Sequence, residues 1–259
     1  MATIEIDGVE NVRDLGGIAV SGGRVVRPGL LYRGGNLSKL TAAGASKMVD
    51  DLGISLVIDL RVGWEVEAKP DIQIPGVRYE HIPFYDMEKV GIDYTQPAAG
   101  TKAQGHDIAC DPDHFYHHMA NELTAAQMGK AVRLILEYAQ AGKAAYVHCS
   151  GGKDRAGIIS LCILTVLGAS EQAILEDYLL TNVSRDARLD EMYQRFIRFT
   201  ENDEHLAWQL VNNHRARPEN LQSFRRAVDE HYGGMGAFVE QKLGLTKEAI
   251  SQARSLLTL

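Results

Sequence analysis

The two residues with the most chemistry in this chain are Cys149 and Arg155, separated by five positions in His148-Cys149-Ser150-Gly151-Gly152-Lys153-Asp154-Arg155-Ala156-Gly157. A thiolate is a strong nucleophile, and a guanidinium is a planar fork that grips two phosphate oxygens at once, a geometry lysine cannot supply. Gly151 and Gly152 let the backbone between them take positive φ or approach a ligand closely. If the segment curls about one point, successive N–H groups face inward and form a nest for a tetrahedral oxyanion. A helix N-terminus and nearby cations would also lower the pKa of Cys149. One loop would then cradle a phosphate with Ser150, Gly151, Gly152, Lys153, Asp154 and Arg155, and present the atom that attacks it.

Such a loop needs rigid elements on both sides. Ala144-Ala145-Tyr146-Val147 reads as a buried strand leading into it, and the apolar run Ile158 to Leu167, stopped by Gly168, reads as a buried helix leading out. Helical N–H groups without partners of their own suit an anion at that junction. Leu56-Val57-Ile58 reads as a second buried strand, delivering Asp59-Leu60-Arg61 to its end. Ile18 to Val26, split by Ser21-Gly22-Gly23, reads as a hairpin, and Leu30 to Arg33 as a strand edge. A helix from Thr41 buries Ala45, Met48, Val49 and Leu52 and stops at Gly53; a further strand is expected over Val77 to Phe84.

Residues 87–113 show no periodicity, and that length marks a mobile or partly helical lid, extended here to about 87–123. Thr124 and Gln127 have capping-box spacing for a helix whose buried face is Met128, Val132, Ile135, Leu136 and Ala139, ending at Gly142. Beyond about residue 170 the pattern is helical: Ser170 to Leu180, Asp190 to Thr200, Pro218 to the Gly233-Gly234 stop, and a last helix capped by Thr246. Alternating strands and helices without repeats or a linker indicate one α/β domain over 1–259, with a central, mainly parallel sheet flanked by helices and a helical C-terminal extension.

The string His-Cys-x-x-Gly-Lys-Asp-Arg-x-Gly resembles the signature loop of the cysteine-dependent protein tyrosine phosphatases, in the bacterial and fungal branch with dual protein and phosphoinositide activity. Asn11-Val12-Arg13-Asp14-Leu15-Gly16-Gly17 and Asp59-Leu60-Arg61, with Glu65 and Glu67 downstream, are similar to the same branch. The resemblance implies a tyrosine-phosphatase-like fold and metal-independent hydrolysis of phosphate monoesters through a cysteinyl-phosphate, without a cofactor. It implies Cys149 as nucleophile, Arg155 as phosphate clamp and His148 as a residue that tunes or braces the loop. It also implies Lys153 as a contact for highly anionic substrates such as phosphoinositides, and Asp154 as a brace or aid to proton transfer. Asp86, just after Pro83-Phe84-Tyr85, matches the family's general acid on a movable loop, with Asp154 as runner-up. Arg13, Asp14, Arg61 and Glu65 match supporting positions near the floor of the site. Ala156 departs from the pattern: many relatives carry Ser or Thr there, and the loss bears on phosphoenzyme breakdown rather than on phosphate binding.

Composition sets the outer bounds. The chain has 259 residues, 27 basic and 34 acidic, a net charge of −7 and an apolar fraction of 45%. That excludes a non-specific nucleic-acid binder, which needs a basic face, but not a local positive pocket. Three widely spaced cysteines make no disulfide framework, and a working thiolate needs a reducing compartment. No apolar stretch is long enough for stable membrane insertion and no standard signal peptide opens the chain, so a cytoplasmic location is the default, with secretion by another route left open. His114, His117 and His118, with Cys110 nearby, match no firm metal-ligand spacing, and no metal is expected. The partners implied are phosphorylated proteins or phosphoinositides; oligomeric state is not legible. Two other readings stay open: a phospho-ligand binding module without turnover, and sulfur transfer or arsenate reduction on a similar loop.

Overall fold

The computed structural model describes residues 3–84 and 112–259. The chain opens with β1 (Arg13–Asp14), a hairpin of β2 (Ala19–Val20) and β3 (Arg24–Val25), and β4 (Leu31–Gly34). Helix α1 (Ala42–Ser46) is capped by Thr41, whose Oγ1 accepts from Gly44 N at 3.1 Å; a π turn (Lys47–Asp51) extends it to Gly53. Next come β5 (Ile54–Asp59), α2 (Gly63–Ala68) and β6 (Arg78–His81). Past residue 111 lie α3 (Pro112–His118), α4 (Glu122–Gln140), β7 (Ala144–His148), α5 (Asp154–Leu167) and α6 (Glu171–Ser184). The C-terminal part adds α7 (Asp186–Phe199), α8 (Glu204–His214), α9 (Pro218–Tyr232), α10 (Met235–Gln241) and α11 (Lys247–Leu257).

The main sheet runs β1-β4-β7-β5-β6, antiparallel only between β1 and β4. Side chains alternate across a strand, so a central strand must be apolar on both faces. In β7, Ala145 and Val147 join the large core formed with α4, α5 and the C-terminal helices, while Ala144 and Tyr146 join a smaller core with Met48, Leu37 and Val57 on the other face. Helix α5 is buried around nearly its whole circumference, which is why it reads as an unbroken apolar run without an amphipathic stripe. Parallel pairing sets Gly34 and Asp59 beside His148, so the segments leaving β4, β5 and β7 emerge together at one edge of the sheet. In open α/β sheets that carboxyl edge is where ligands bind.

The structure differs from the sequence expectations in several places. Leu31–Gly34 is no edge but lies between β1 and β7. Strand β6 ends at His81, short of Phe84, and α7 begins at Asp186 rather than Asp190. Of the lid-like segment, residues 87–111 lie outside the described residues. The remainder is α3 and the start of α4; His117 of α3 faces Glu230 of α9 at 3.8 Å, and Tyr232 donates to Ala120 O at 2.6 Å. Helix α4 starts earlier than Thr124: Asn121 is its cap, with Oδ1 accepting from Thr124 N at 2.9 Å, while the Thr124 hydroxyl is buried without a partner.

The cap assignment makes a direct prediction. Asn121→Ala should lower unfolding free energy by about 1 kcal/mol, whereas Thr124→Val should be neutral or slightly stabilising because it removes an unsatisfied hydroxyl. Urea unfolding of both variants checks this, and the opposite order would return the cap to Thr124.

Candidate active site

The loop Cys149–Lys153 leaves β7 at the carboxyl edge of the sheet and runs directly into α5. Its carbonyls are fastened outward one after another. Ser150 O accepts from Asn36 Nδ2 at 2.7 Å and Gly151 O from Asn11 Nδ2 at 3.1 Å. Arg33 Nη2 donates to Gly152 O at 2.9 Å and to Lys153 O at 3.1 Å. Because a trans peptide holds its N–H opposite its C=O, the following amides, Gly151 to Asp154, are turned to the other side, toward the hollow of the loop. Gly152 is required twice over: its φ is +67°, and a Cβ there would sit 2.4 Å from the Gly34 carbonyl. The amino end of α5 has no side-chain cap, so its N–H groups and dipole add to the same positive hollow.

Arg33 is itself held by a buried carboxylate. Asp177 of α6 takes Arg33 Nη1 at 2.6 Å on one oxygen and Arg13 Nε at 2.8 Å on the other, and all three side chains are buried. Burial alone would raise the Asp177 pKa, but the two guanidinium charges and their hydrogen bonds hold it below the ordinary carboxylate range. Arg13 also donates to Asn11 Oδ1 at 2.6 Å, fixing Asn11 in a left-handed conformation (φ 60°) that aims its amide at Gly151. Arg13 is thus a supporting residue one step behind the loop. Asp14 is not: its carboxylate accepts from Gly16 N at 2.8 Å and Gly29 N at 2.6 Å, bracing the base of the β2–β3 hairpin.

Cys149 is buried at the start of the loop. On the far side, Arg155 is gripped by Glu65 of α2, with Nη2 on Oε1 at 2.8 Å and Nη1 on Oε2; Ser150 Oγ donates to the same carboxylate. Glu65 also accepts from Val62 N at 3.0 Å, so the helix start and the guanidinium share one anchor. Burial pushes Glu65 up, and the Arg155 and Ser150 bonds more than offset it, keeping the carboxylate ionised.

Beneath Cys149, His148 is fully buried, with Nε2 3.0 Å from Asp71 and Nδ1 3.8 Å from Asp59. Arg61 joins those two carboxylates, with Nη2 at 2.7 Å from Asp59 and 2.9 Å from Asp71. Asp59, Asp71 and His148 are close enough for a metal ion. A guanidinium already occupies the space between the carboxylates, so the donor set suits an ion pair and not a cation site. Of the histidines weighed as ligands, His117 lies against Glu230 and His231 of α9, and the His114 side chain and Cys110 lie outside the described residues.

Lys153 and Asp154 take positions different from simple phosphate contacts. The Lys153 ammonium donates to His214 O at 3.1 Å and Arg215 O at 3.4 Å, at the carboxyl end of α8, and pairs with Asp154 at 3.2 Å. Asp154 accepts from Tyr116 OH at 2.5 Å, and Tyr116 in turn meets Tyr178 OH at 2.5 Å. Burial raises the Asp154 pKa, but Lys153 and Tyr116 bring it below its usual range, so at neutral pH this carboxylate accepts protons rather than donates them. Burial first, then Lys153 and Arg185, press His214 down to about 4, with Asp154 acting the other way. Asp86 lies outside the described residues. Cys162, inside α5, is pushed up to about 12 by burial and is chemically inert.

Sequence reasoning did not single out Asn36, Arg33, Asp71, Asp177 or Arg185. Asn11 stood inside a quoted motif, unassigned. A buried arginine in an apolar strand, Leu31-Tyr32-Arg33, and a lone aspartate in α6 were the available signals.

The tyrosine phosphatase family model matches residues 4–259. The triple specificity protein phosphatase PtpB of Mycobacterium tuberculosis is 29% identical over 99% of both chains. A putative tyrosine-protein phosphatase of Cupriavidus necator is 32% identical over 73% of this chain and 66% of its own. Among solved structures, PTPMT1 aligns with 78% of this chain and 91% of its own at 16% identity, with a TM-score of 0.41.

The Asp177 network yields a stability prediction. Asp177→Asn leaves two buried guanidinium groups poorly compensated and should cost about 3–5 kcal/mol. The folded-state pKa of Asp177 is depressed, so its contribution is full above the unfolded value near about 4 and is lost as pH falls through the folded value. The acid limb of the unfolding profile should therefore be shallower in Asp177→Asn; an unchanged limb would mean other carboxylates dominate it.

Proposed function

The chain belongs to the tyrosine phosphatase family, and from that premise we propose that Cys149 attacks the phosphorus of a phosphotyrosine held in the Ser150–Arg155 loop. The enzyme is a phosphoric monoester hydrolase. The single observation that supports this assignment of roles is that four consecutive loop carbonyls are held by Asn36, Asn11 and Arg33, which suits the following amides to face an anion beside the buried Cys149. Such preorganised donors stabilise the charge on the equatorial oxygens in the transition state and need no reorganisation when it forms.

The Cys149 thiolate displaces the leaving oxygen in line, forming a sulfur–phosphorus bond as the ester bond breaks. Glu65 fixes the plane of Arg155, leaving the guanidinium oriented for two phosphate oxygens. The departing oxygen needs a proton, and Asp86 is the assigned donor. Asp154, held ionised beside the start of α5, is suited to take the proton of the water that then attacks phosphorus, returning the thiolate and releasing inorganic phosphate. Ala156 is fully buried and offers no hydroxyl at the position after Arg155, so this second step lacks one aid to thiolate departure.

Phosphotyrosine is the first substrate class. Phosphoserine, phosphothreonine and phosphoinositides are further classes, supported by the relative named for triple specificity. A phosphoinositide contact by Lys153 would have to compete with the α8 carbonyls it already caps. No described helix is long and apolar enough to cross a membrane; a cytoplasmic setting is proposed because the thiolate needs reducing conditions.

Hydrolysis of an aryl phosphate in excess chelator tests the mechanism. Cys149→Ser should abolish turnover, and Asp86→Asn should lower kcat by about 10²-fold or more, with a smaller loss on substrates whose leaving group needs no proton. Activity surviving in Cys149→Ser would sink the covalent route. A full loss in Asp154→Asn with none in Asp86→Asn would move the acid to Asp154.

A further inference from the structure

Arg185 connects α6 to α7 and is about nine-tenths buried, at 9% exposure. A Cβ built on Gly151 would lie 3.3 Å from Cζ, Nη1 and Nη2 of Arg185 alike, so the guanidinium lies face-on against the phosphate loop. Gly151 is not in the left-handed region, so it is the space taken by Arg185 that accounts for a glycine here.

The neighbouring cations all have counter-charges. Arg155 has Glu65, Lys153 has Asp154, Arg13 and Arg33 share Asp177, and Arg188 holds Glu10 at 2.6 Å. Arg185 makes no ion pair within 4 Å among the described residues, although Asp154 and Glu10 act on it from farther off, and its buried Nε lacks any hydrogen-bond partner. A buried charge without a partner is costly, and the folded chain retains this one beside the loop that binds an anion. Burial and then Arg188 hold Arg185 below the ordinary arginine range, while Asp154, Glu10 and, least of the three, Cys149 act in the opposite direction, so nucleophile and guanidinium share one electrostatic neighbourhood.

We propose that Arg185 is a phosphate-binding residue of this site, a second arginine whose counter-ion is a phosphate oxygen brought by the substrate to the Gly151 side of the loop. The assignment rests on the reading of the loop as a phosphate site. The oxygen belongs either to the transferred phosphoryl group or to a second phosphate on an adjacent carbon of a small polyol phosphate, and both present the same tetrahedral oxyanion to a planar fork.

Calorimetric titration of the full-length Cys149→Ser protein, which cannot turn over, tests it with inorganic phosphate and with a soluble inositol bisphosphate bearing vicinal phosphates. Replacing Arg185 by Met should weaken binding about tenfold or more, by loss of a charge-assisted hydrogen bond, and Arg185→Lys should recover part of it. Arg188→Gln, which leaves the loop untouched, should stay within twofold. Equal losses for both ligands place the oxygen on the transferred group, and a loss confined to the bisphosphate places it on the neighbour. Affinities within twofold for both ligands in a folded Arg185→Met protein would overturn the proposal, as would a parent protein that binds no phosphate.

A second route does not depend on the Arg185 substitution alone. Gly151→Ala pushes a methyl into the guanidinium and should weaken binding more when Arg185 is present than in the Arg185→Met background; strictly additive losses would count against the contact. Phosphate binding that depends on Arg185, together with absence of hydrolysis in the wild type, would overturn the hydrolase reading and leave this assignment standing.

Discussion

A loop that binds an anion with its own amides must have its carbonyls held somewhere else. Here Asn36, Asn11 and Arg33 hold four of them in sequence, and Arg33 is held by Asp177, which also holds Arg13, which also holds Asn11. The network closes on itself through one buried carboxylate on α6. It joins the first strand, the fourth strand, the loop and α6, elements up to 164 positions apart in the chain. The hollow of the loop exists because that network sets the direction of each peptide.

A second buried ion network lies under the other end of the loop, where Arg61 binds Asp59 and Asp71 beside His148. Glu65 forms a third anchor, holding Arg155 and Ser150 from α2. In each network the guanidinium groups are paired with carboxylates, and buried charge that is paired in this way can specify a geometry. Arg185 stands apart because it makes no ion pair within 4 Å among the described residues. A chain of net charge −7 still gathers Lys153, Arg155 and Arg185 about one loop, and burial followed by Lys153 and Arg185 lowers the pKa of His214 beside it.

The acid–base groups divide by environment. Asp154 is kept ionised by Lys153 and by a pair of buried tyrosines that donate toward it, so it is a poor proton donor at neutral pH. Lys153, which the family resemblance links to anionic substrates, is drawn to the carboxyl end of α8 and caps it. That contact ties the C-terminal helices to the Cys149–Lys153 loop, and it is invisible in the local sequence.

What the sequence determined by itself was everything whose cause lies within a few residues. The Cys149–Arg155 spacing, the apolar strand before it and the apolar run of α5 after it, the glycine stops and the caps at Ser170 and Thr246 all follow from local geometry and composition. The cap of α4 was misplaced because Thr124 and Asn121 are both good capping residues three positions apart, and only packing, which buries Thr124, selects between them. Asp14 was placed near the site by the family resemblance of the Asn11–Gly17 motif, yet neighbouring residues in a strand point to opposite faces, and its carboxylate went to a turn instead. Tertiary structure alone decided which distant side chains hold the loop. Asn36, Arg33 and Arg185 reach it, and Asp177 acts on it through Arg33, by strand order and helix packing, and no spacing in a linear chain encodes a contact made across the sheet.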